Sequence, residues 1–165
     1  MDGKILMKMI EYFGKDIKRI NHALKVYGFA KAIAGGENLD GRLLETVEAA
    51  AVLHDIGIKE AERRHNSNAG VYQELEGPPI AGTILENLKY SSEFADRVCF
   101  LVGHHHSYDK IDNIDFQILV EADYLVNLDE EKAPVESVFA VKRKYFKTGT
   151  GKKIIDSLFG FYLKR

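Results

Sequence analysis

Hydrophobic residues recur along this chain every three or four positions, the spacing of one face of an α-helix, and almost nowhere every second position, the spacing of a strand. A helix is predicted over 16–34, where Asp16 can cap its start and two glycines follow its end. A second helix is predicted from Asp40 to Gly57. The apolar run 98–102 resembles a strand, but its helical repeat with the flanking residues favours a helix. The pattern therefore predicts an all-α fold.

Turn-forming residues divide the remaining chain into further predicted elements. A polar segment at 63–68 is followed by a short helix near 71–75, and Gly77-Pro78-Pro79 is expected to break the chain before a helix that reaches Leu88. Later helices are predicted to start at Ser91 or Ser92, at Asp112 or Asn113, after Pro134, and at Lys152, the last one ending at Leu163. Because no repeat or linker interrupts the sequence, we expect one helical-bundle domain over 1–165, with helices 134–163 packing on its core.

Charge and cysteine content restrict the functional classes. Lys and Arg number 23 against 25 Asp and Glu, so the net charge is −2, which excludes a nucleic-acid binder that works by bulk charge. The single cysteine, Cys99, excludes a disulfide framework and fits a small core residue better than a nucleophile. No apolar stretch approaches the roughly 18 residues of a membrane span, and Met1–Ile10 lacks the regions of a signal peptide. We expect a soluble, cytoplasmic protein without a membrane partner.

Four ionisable side chains fall on apolar faces of the predicted helices: His22, His54, His105 and Asp123. Each of them alone has an ordinary explanation, since a buried imidazole can bond backbone groups and a lone carboxylate can cap a helix or pair with Arg or Lys. Together, in one small core, they favour a metal site with nitrogen and oxygen ligands, because a buried carboxylate must be paired or metal-bound.

The order and context of these residues resemble a known family. His22, then His54-Asp55, then Asp123 is similar to the H…HD…D pattern of the HD-domain metal-dependent phosphohydrolase superfamily. The run Ala-Ala-Val-Leu-His-Asp-Ile-Gly at 50–57 resembles the family's central motif. Val-Glu-Ala-Asp-Tyr-Leu at 120–125 resembles its closing motif. The resemblance covers about 17–128 and implies an all-helical, small single-domain member whose four motif residues hold a divalent metal.

Some members of the superfamily bind two metals through additional histidines, and two further segments resemble those forms. His104 and His105 are similar to their paired histidines, and 77–85 is similar to their His-Pro-x-x-Gly-Ala segment. Gly77 stands where that family has a histidine, which leaves the adjacent Glu76 as the ready substitute. The resemblance therefore implies one or two divalent ions, of which Fe, Mn, Mg, Co, Ni and Zn all suit nitrogen and oxygen ligands.

The activity implied by the resemblance is hydrolysis of a phosphoester in a nucleotide or another small phosphorylated substrate. A metal-bound water has a pKa near 7 and supplies hydroxide for attack on phosphorus. Asp55 is then the candidate to bridge the metals and orient that hydroxide, and His106 is a candidate acid for the leaving group. The basic residues close to the motif, Arg19, Lys59 and Arg63, are candidates to hold phosphate, Lys59 also as a catalytic group.

Two other functions remain open at this stage. A minority of HD-like bundles use the same ligands as di-iron oxygenases, and a non-catalytic, metal-stabilised signalling or binding module would have the same motif. Two smaller features are set aside: the Thr-Gly-Thr-Gly-Lys segment at 148–152 fits a helix break better than a phosphate loop, and His65 is expected at the exposed surface.

Overall fold

The structure, a computed structural model, describes residues 3–160, and every regular secondary-structure element in that range is a helix. Its elements, in chain order, are α1 (Lys4–Phe13), α2 (Ile17–Gly36), α3 (Gly41–Leu53), α4 (Ile58–His65), α5 (Gly70–Asn87), α6 (Ser92–Val102), α7 (Ile114–Glu130), α8 (Val135–Tyr145) and α9 (Gly149–Phe159), with a short 3-10 turn at Tyr108–Lys110. The predicted all-α fold is confirmed. The predicted end of the last helix at Leu163 lies outside the described residues.

The centre of the molecule is formed by α2, α3 and α7, which pack against one another. Side chains on two opposite sides of α2 are buried, since Ile20 and Ala23 lie in the core together with Val26 and Ile33. Helix α7 is buried around most of its circumference, including every residue from Asp115 to Asp123. Polar residues on these helices are therefore held in a low-dielectric interior by apolar packing on both sides.

Several helix starts follow the capping chemistry that the sequence predicts. The side chains of Asp16, Ser91 and Asn113 accept hydrogen bonds from backbone N–H groups at the starts of α2, α6 and α7. Pro134 directly precedes α8, as predicted. These local signals survive in the tertiary structure because each cap satisfies a backbone donor that the helix itself leaves unpaired.

Several elements differ from the sequence prediction: α1 was not predicted, α9 begins at Gly149 rather than at Lys152, and α3 and α5 have other bounds than expected. Helix α3 ends at Leu53, so the His54-Asp55 pair lies in the turn that joins α3 to α4, and much of the expected polar segment is helical as part of α4. Helix α5 runs without a break from Gly70 to Asn87 and contains Pro78 and Pro79. Each internal proline destabilises a helix by about 3 kcal/mol, and the packing of α5 against α4 and α6 outweighs that cost.

Carboxylates from α7 and from the end of α2 fix the turn between α8 and α9. Glu121 of α7 accepts hydrogen bonds from the backbone N–H groups of Lys147 and Thr148, and Glu37 accepts one from the N–H of Thr150. The hydroxyl of Thr148 also donates to Glu121. The chain does break between α8 and α9, but only at 146–148, and residues 149–152 of the predicted break form the first turn of α9. The N–H groups of residues 147, 148 and 150, which a phosphate loop would offer to a ligand, are bound to the chain's own carboxylates.

Cys99 is half-buried on α6, and its thiol donates to the backbone carbonyl of Pro78 on α5. Burial raises the pKa of this thiol, so the thiolate is disfavoured and the environment does not activate it as a nucleophile. In the described part of the chain, no helix combines the length and the apolar character that crossing a bilayer requires.

Candidate metal centre

Three elements of the central layer bring one group of ligand-type side chains together. His22 lies on α2, His54 follows the last turn of α3, and Asp123 lies on α7. The Nε2 atom of His22 is 3.3 Å from Nε2 of His54 and 3.2 Å from Oδ1 of Asp123. All three residues are buried, and the spacing of their donor atoms is suitable for a metal ion.

Hydrogen bonds on the outer side of each ring determine where the imidazole protons lie. The Nδ1 atom of His54 is 2.9 Å from the carbonyl of Ala51, and Nδ1 of His22 is 3.1 Å from a carboxylate oxygen of Glu130. Because these oxygens only accept hydrogen bonds, each Nδ1 carries a proton and each neutral ring presents an Nε2 lone pair inward. Two lone pairs and the Asp123 carboxylate thus converge on one point, which requires a cation or additional protons there.

A second group of ligand-type side chains adjoins the first. Asp55, His105 and His106 come together where the turn after α3 meets the turn after α6. The Nε2 atom of His105 is 3.5 Å from Oδ1 of Asp55, while Nδ1 of His105 bonds the carbonyl of Val102. The Nε2 atoms of His105 and His106 are buried and have no hydrogen-bond partner. Such unpaired polar atoms fit a site for a second metal ion, because ligation would satisfy them.

Asp55 lies between the two groups. Its Oδ2 is 3.6 Å from Nε2 of His22 and 3.5 Å from Nε2 of His54, whereas its Oδ1 faces His105. Each carboxylate oxygen is thus directed at a different group. This is the arrangement expected of a carboxylate shared by two adjacent metal ions.

The charges of the two groups shift the pKa values of the ligands. Burial disfavours the imidazolium of His54, but the carboxylates of Asp55 and Asp123 outweigh that effect and raise its pKa to about 9. The pKa of His22 is raised in the same way, against burial and mainly by Asp123. Despite burial, the histidines hold the pKa values of both carboxyl groups well below their usual range. Protons therefore occupy the first group near neutral pH when no metal does.

Metal binding is expected to tighten as the pH rises, because a metal ion must displace the proton that His54 holds below about pH 9. The apparent Kd for Mn²⁺, measured by calorimetry from pH 6 to 8, should fall about tenfold per pH unit for each proton released. A Kd that does not change over this range would contradict the proton positions given above.

The stability of the metal-free protein should change in the opposite direction. The pKa of His54 is above its ordinary value of 6.5, so its stabilising contribution is present below that pH and is lost as the pH rises toward about 9. Thermal unfolding in EDTA and in Mn²⁺ at several pH values should therefore show a gain in Tm from the metal that increases with pH.

The environment of His106 does not suit the role of an acid for the leaving group that was predicted for it. Burial, together with the neighbouring imidazole of His105, lowers the pKa of His106 to about 4. The ring is therefore neutral near pH 7 and unsuited to donate a proton to a leaving group. The structure places His106 among the ligand-type residues of the second group instead.

The two other ligands predicted for a second metal, His104 and Glu76, lie outside both groups. His104 folds back onto α6, where its Nδ1 bonds the carbonyl of Phe100 and its ring lies against the Phe100 ring. The carboxylate of Glu76 pairs with His65 at 2.9 Å and with Arg64 at 3.4 Å. His65 is half-buried rather than exposed, because this pairing and its stacking on Tyr72 hold it against α5.

Close helix packing explains why a histidine is absent at position 77. A Cβ atom on Gly57 would lie 2.5 Å from the backbone of both Gln73 and Gly77, and one on Gly77 would lie 2.7 Å from the side chain of Val102. The start of α4 and the middle of α5 thus approach each other too closely for a side chain at Gly57. A histidine at 77 would require the Val102 side chain of α6 to move.

An open cavity of about 840 Å³ leads to the metal ligands. Arg19 lines it, as do Lys18 and Lys25, two cations that the sequence analysis did not single out. Lys59 and Arg63 do not line it. The ammonium of Lys59 donates to the carbonyl of Tyr12 at the end of α1, and Arg63 pairs with Glu60 on its own helix. These contacts therefore keep the side chains of Lys59 and Arg63 away from the cavity.

Glu130, which the sequence analysis also missed, supports a ligand from behind. Its Oε2 accepts the Nδ1 proton of His22, and its Oε1 is 3.0 Å from the ammonium of Lys25. A carboxylate in this position fixes the ring orientation and increases the basicity of Nε2. It lies 108 positions from His22 in the chain, and no spacing rule relates the two.

Glu130→Ala is expected to weaken Mn²⁺ binding about 10- to 100-fold, the usual cost of losing such an outer partner. Calorimetric titration of the purified protein measures this change directly. Glu131→Ala is the matched control, since Glu131 lines the same cavity but makes no described contact with a ligand. Equal Kd values for the two variants would show that Glu130 does not support His22.

The chain is similar to known proteins in sequence and in fold. The family model of the HD domain matches residues 19–132 of the chain, a range that contains both groups of ligand-type residues. A crystal structure of a predicted HD superfamily hydrolase from an uncultured Thermotogales bacterium is similar, with a TM-score of 0.70 and 25% sequence identity over 97% of this chain and 86% of that one. No match was found among curated proteins.

Proposed function

Since this chain belongs to the HD-domain family, we propose that it is a metal-dependent phosphohydrolase that cleaves a phosphoester of a small phosphorylated molecule, such as a nucleotide. The observation that carries the proposal is the position of Asp55, whose two oxygens face different groups of histidines. His22, His54 and Asp123 would hold one divalent ion, and His105 and His106 would hold a second, with Asp55 between them. When bound, such ions supply hydroxide near neutral pH and neutralise charge on phosphoryl oxygens.

The chain's own residues would position the substrate. Lys18, Arg19 and Lys25 line one side of the cavity and attract an anionic group toward the ligands. The guanidinium of Arg19 is held at the rim by Asp16 and by Glu62 of α4, so its position there is fixed. The cavity volume of about 840 Å³ lies within the range of sites that enclose ligands of nucleotide size.

A phosphate-release assay tests this proposal. The metal-free protein is loaded in separate samples with Mn²⁺, Mg²⁺, Co²⁺ or Fe²⁺ and incubated with nucleoside monophosphates, nucleoside triphosphates and sugar phosphates. We expect phosphate release with a redox-inert ion and none in EDTA. Metal-loaded protein that releases no phosphate from any of these compounds would overturn the proposal, and oxygen uptake specific to the iron form would favour an oxygenase.

A further inference from the structure

Within residues 3–160, three buried side-chain nitrogen or oxygen atoms lack a hydrogen-bond partner: Oε1 of Gln73, Nε2 of His105 and Nε2 of His106. Two of these atoms belong to the second group of ligand-type residues, described above. The third belongs to an amide that neither the sequence motifs nor that group includes. A buried carbonyl oxygen without a donor costs about 1–3 kcal/mol, so its position calls for a partner.

Gln73 is adjacent to the second group. Gly70, at the start of α5, lies directly against the His106 ring, since a Cβ atom there would be 2.6 Å from Cδ2 of His106. Gln73 follows Gly70 by three positions, which places it on the same face of the helix. It lines the same cavity as Asp55 and His106, although only 7% of the residue is exposed.

One hydrogen bond determines the orientation of this amide. The Nε2 atom of Gln73 donates to the backbone carbonyl of Asn68 at 2.7 Å. Exchanging the amide nitrogen and oxygen would set two acceptors against each other, so the nitrogen must face Asn68. The carbonyl oxygen of Gln73 is therefore the free end of the amide.

The packing around Gly77 bears on the carbonyl oxygen of Gln73, because both residues lie on the same face of α5. At position 77, where the resemblance expects a histidine, a Cβ atom would lie 2.7 Å from the side chain of Val102. Gln73 lies four positions earlier on α5, one helical turn away and on the same face. Gln73 thus presents an amide on the helix face of position 77 and lines the cavity that Asp55 and His106 also line.

We propose that the side-chain carbonyl of Gln73 is an oxygen ligand of the second metal ion, together with Asp55, His105 and His106. The proposal deepens the function given above and rests on it for the presence of a second ion. Two oxygens and two imidazole nitrogens form the donor set. An amide oxygen favours hard divalent ions such as Mn²⁺ and Mg²⁺.

Titration with Mn²⁺ alone tests the proposal independently of any substrate. Calorimetry and the electron paramagnetic resonance signal of free Mn²⁺ give the number of sites and their Kd values for the full chain. We expect two sites in the wild type. In Gln73→Leu the second Kd should rise about 10- to 100-fold or more, because the oxygen is lost, while the first site is retained.

Gln73→Glu separates ligation from a structural role. Glutamate keeps an oxygen but cannot donate to the Asn68 carbonyl, so it should retain two Mn²⁺ sites if the oxygen is a ligand. If Gln73 supports the second site only through its hydrogen bond to Asn68, Gln73→Glu should lose that site as Gln73→Leu does. Thermal unfolding in EDTA monitors the folding of both variants, and Asn21→Ala, an exposed amide in the same cavity, is the control.

Three results would overturn the proposal: a single Mn²⁺ site in the wild type, wild-type Kd values in Gln73→Leu, or loss of the second site in folded Gln73→Glu. The proposed function fails separately, through the phosphate-release assay. Two Gln73-dependent Mn²⁺ sites in a protein that releases no phosphate would support the ligand assignment and contradict only the reaction.

Discussion

Asp55→Asn is expected to lower metal-dependent phosphate release by about a thousandfold or more, equivalent to about 4 kcal/mol in the activation barrier. Asparagine has nearly the same shape as aspartate, so the turn after α3 should keep its conformation. The substitution removes the one negative charge that faces both groups of histidines. Metal content, measured on the same purified sample, should fall together with activity.

Glu131→Gln is the matched control for that experiment. It also removes one carboxylate charge from the cavity, but Glu131 lies at the rim and not among the ligands. We expect near-normal activity and full metal content in this variant. Wild-type activity in folded Asp55→Asn would exclude a shared carboxylate at the reacting centre.

Arg97→Ala is expected to destabilise the protein by about 3–5 kcal/mol, the cost of leaving a buried charge without its partner. Arg97 of α6 makes two hydrogen bonds to Asp115 of α7, at 2.6 and 2.8 Å, and two to Asp112. The Asp115 side chain is only 1% exposed. These carboxylates raise the pKa of the guanidinium further, so Arg97 stays charged.

This ion pair connects two helices that carry or lead into metal ligands. Helix α6 leads into His105 and His106, and α7 carries Asp123. Urea unfolding of metal-free protein measures the loss, and Asp112→Asn is the control, because Asp112 is exposed and should cost no more than about 1 kcal/mol. Equal losses in the two variants would show that the buried bond to Asp115 adds nothing.

The all-helical fold and most helix starts could be predicted because they depend on local interactions. Helical spacing of apolar residues requires only that one face be buried, and a cap such as Asp16 or Ser91 acts within a single turn. The same spacing placed His22 and Asp123 on inward faces. They meet in the structure because α2 and α7 are regular through those positions.

Residues beyond the helix ends could not be predicted in this way. Projection of α6 as an unbroken helix selected His105, and the family resemblance added His104. Helix α6 ends at Val102, however, and the following turn directs His104 toward Phe100 and His106 toward Asp55. Side-chain direction after a helix end depends on backbone angles that the apolar pattern does not encode.

What the sequence by itself determined is the all-helical character of the fold, most of the helix starts and the H…HD…D residues, because these follow from short-range periodicity, capping and motif spacing. Only the tertiary structure decided which further side chains join them. Close packing leaves no space for a side chain at Gly57 and brings Val102 against Gly77, and the turn after α6 directs His106 toward Asp55. The roles of Glu130 and Gln73 depend on contacts between elements that are far apart in the sequence, because distance in space is unrelated to distance along the chain.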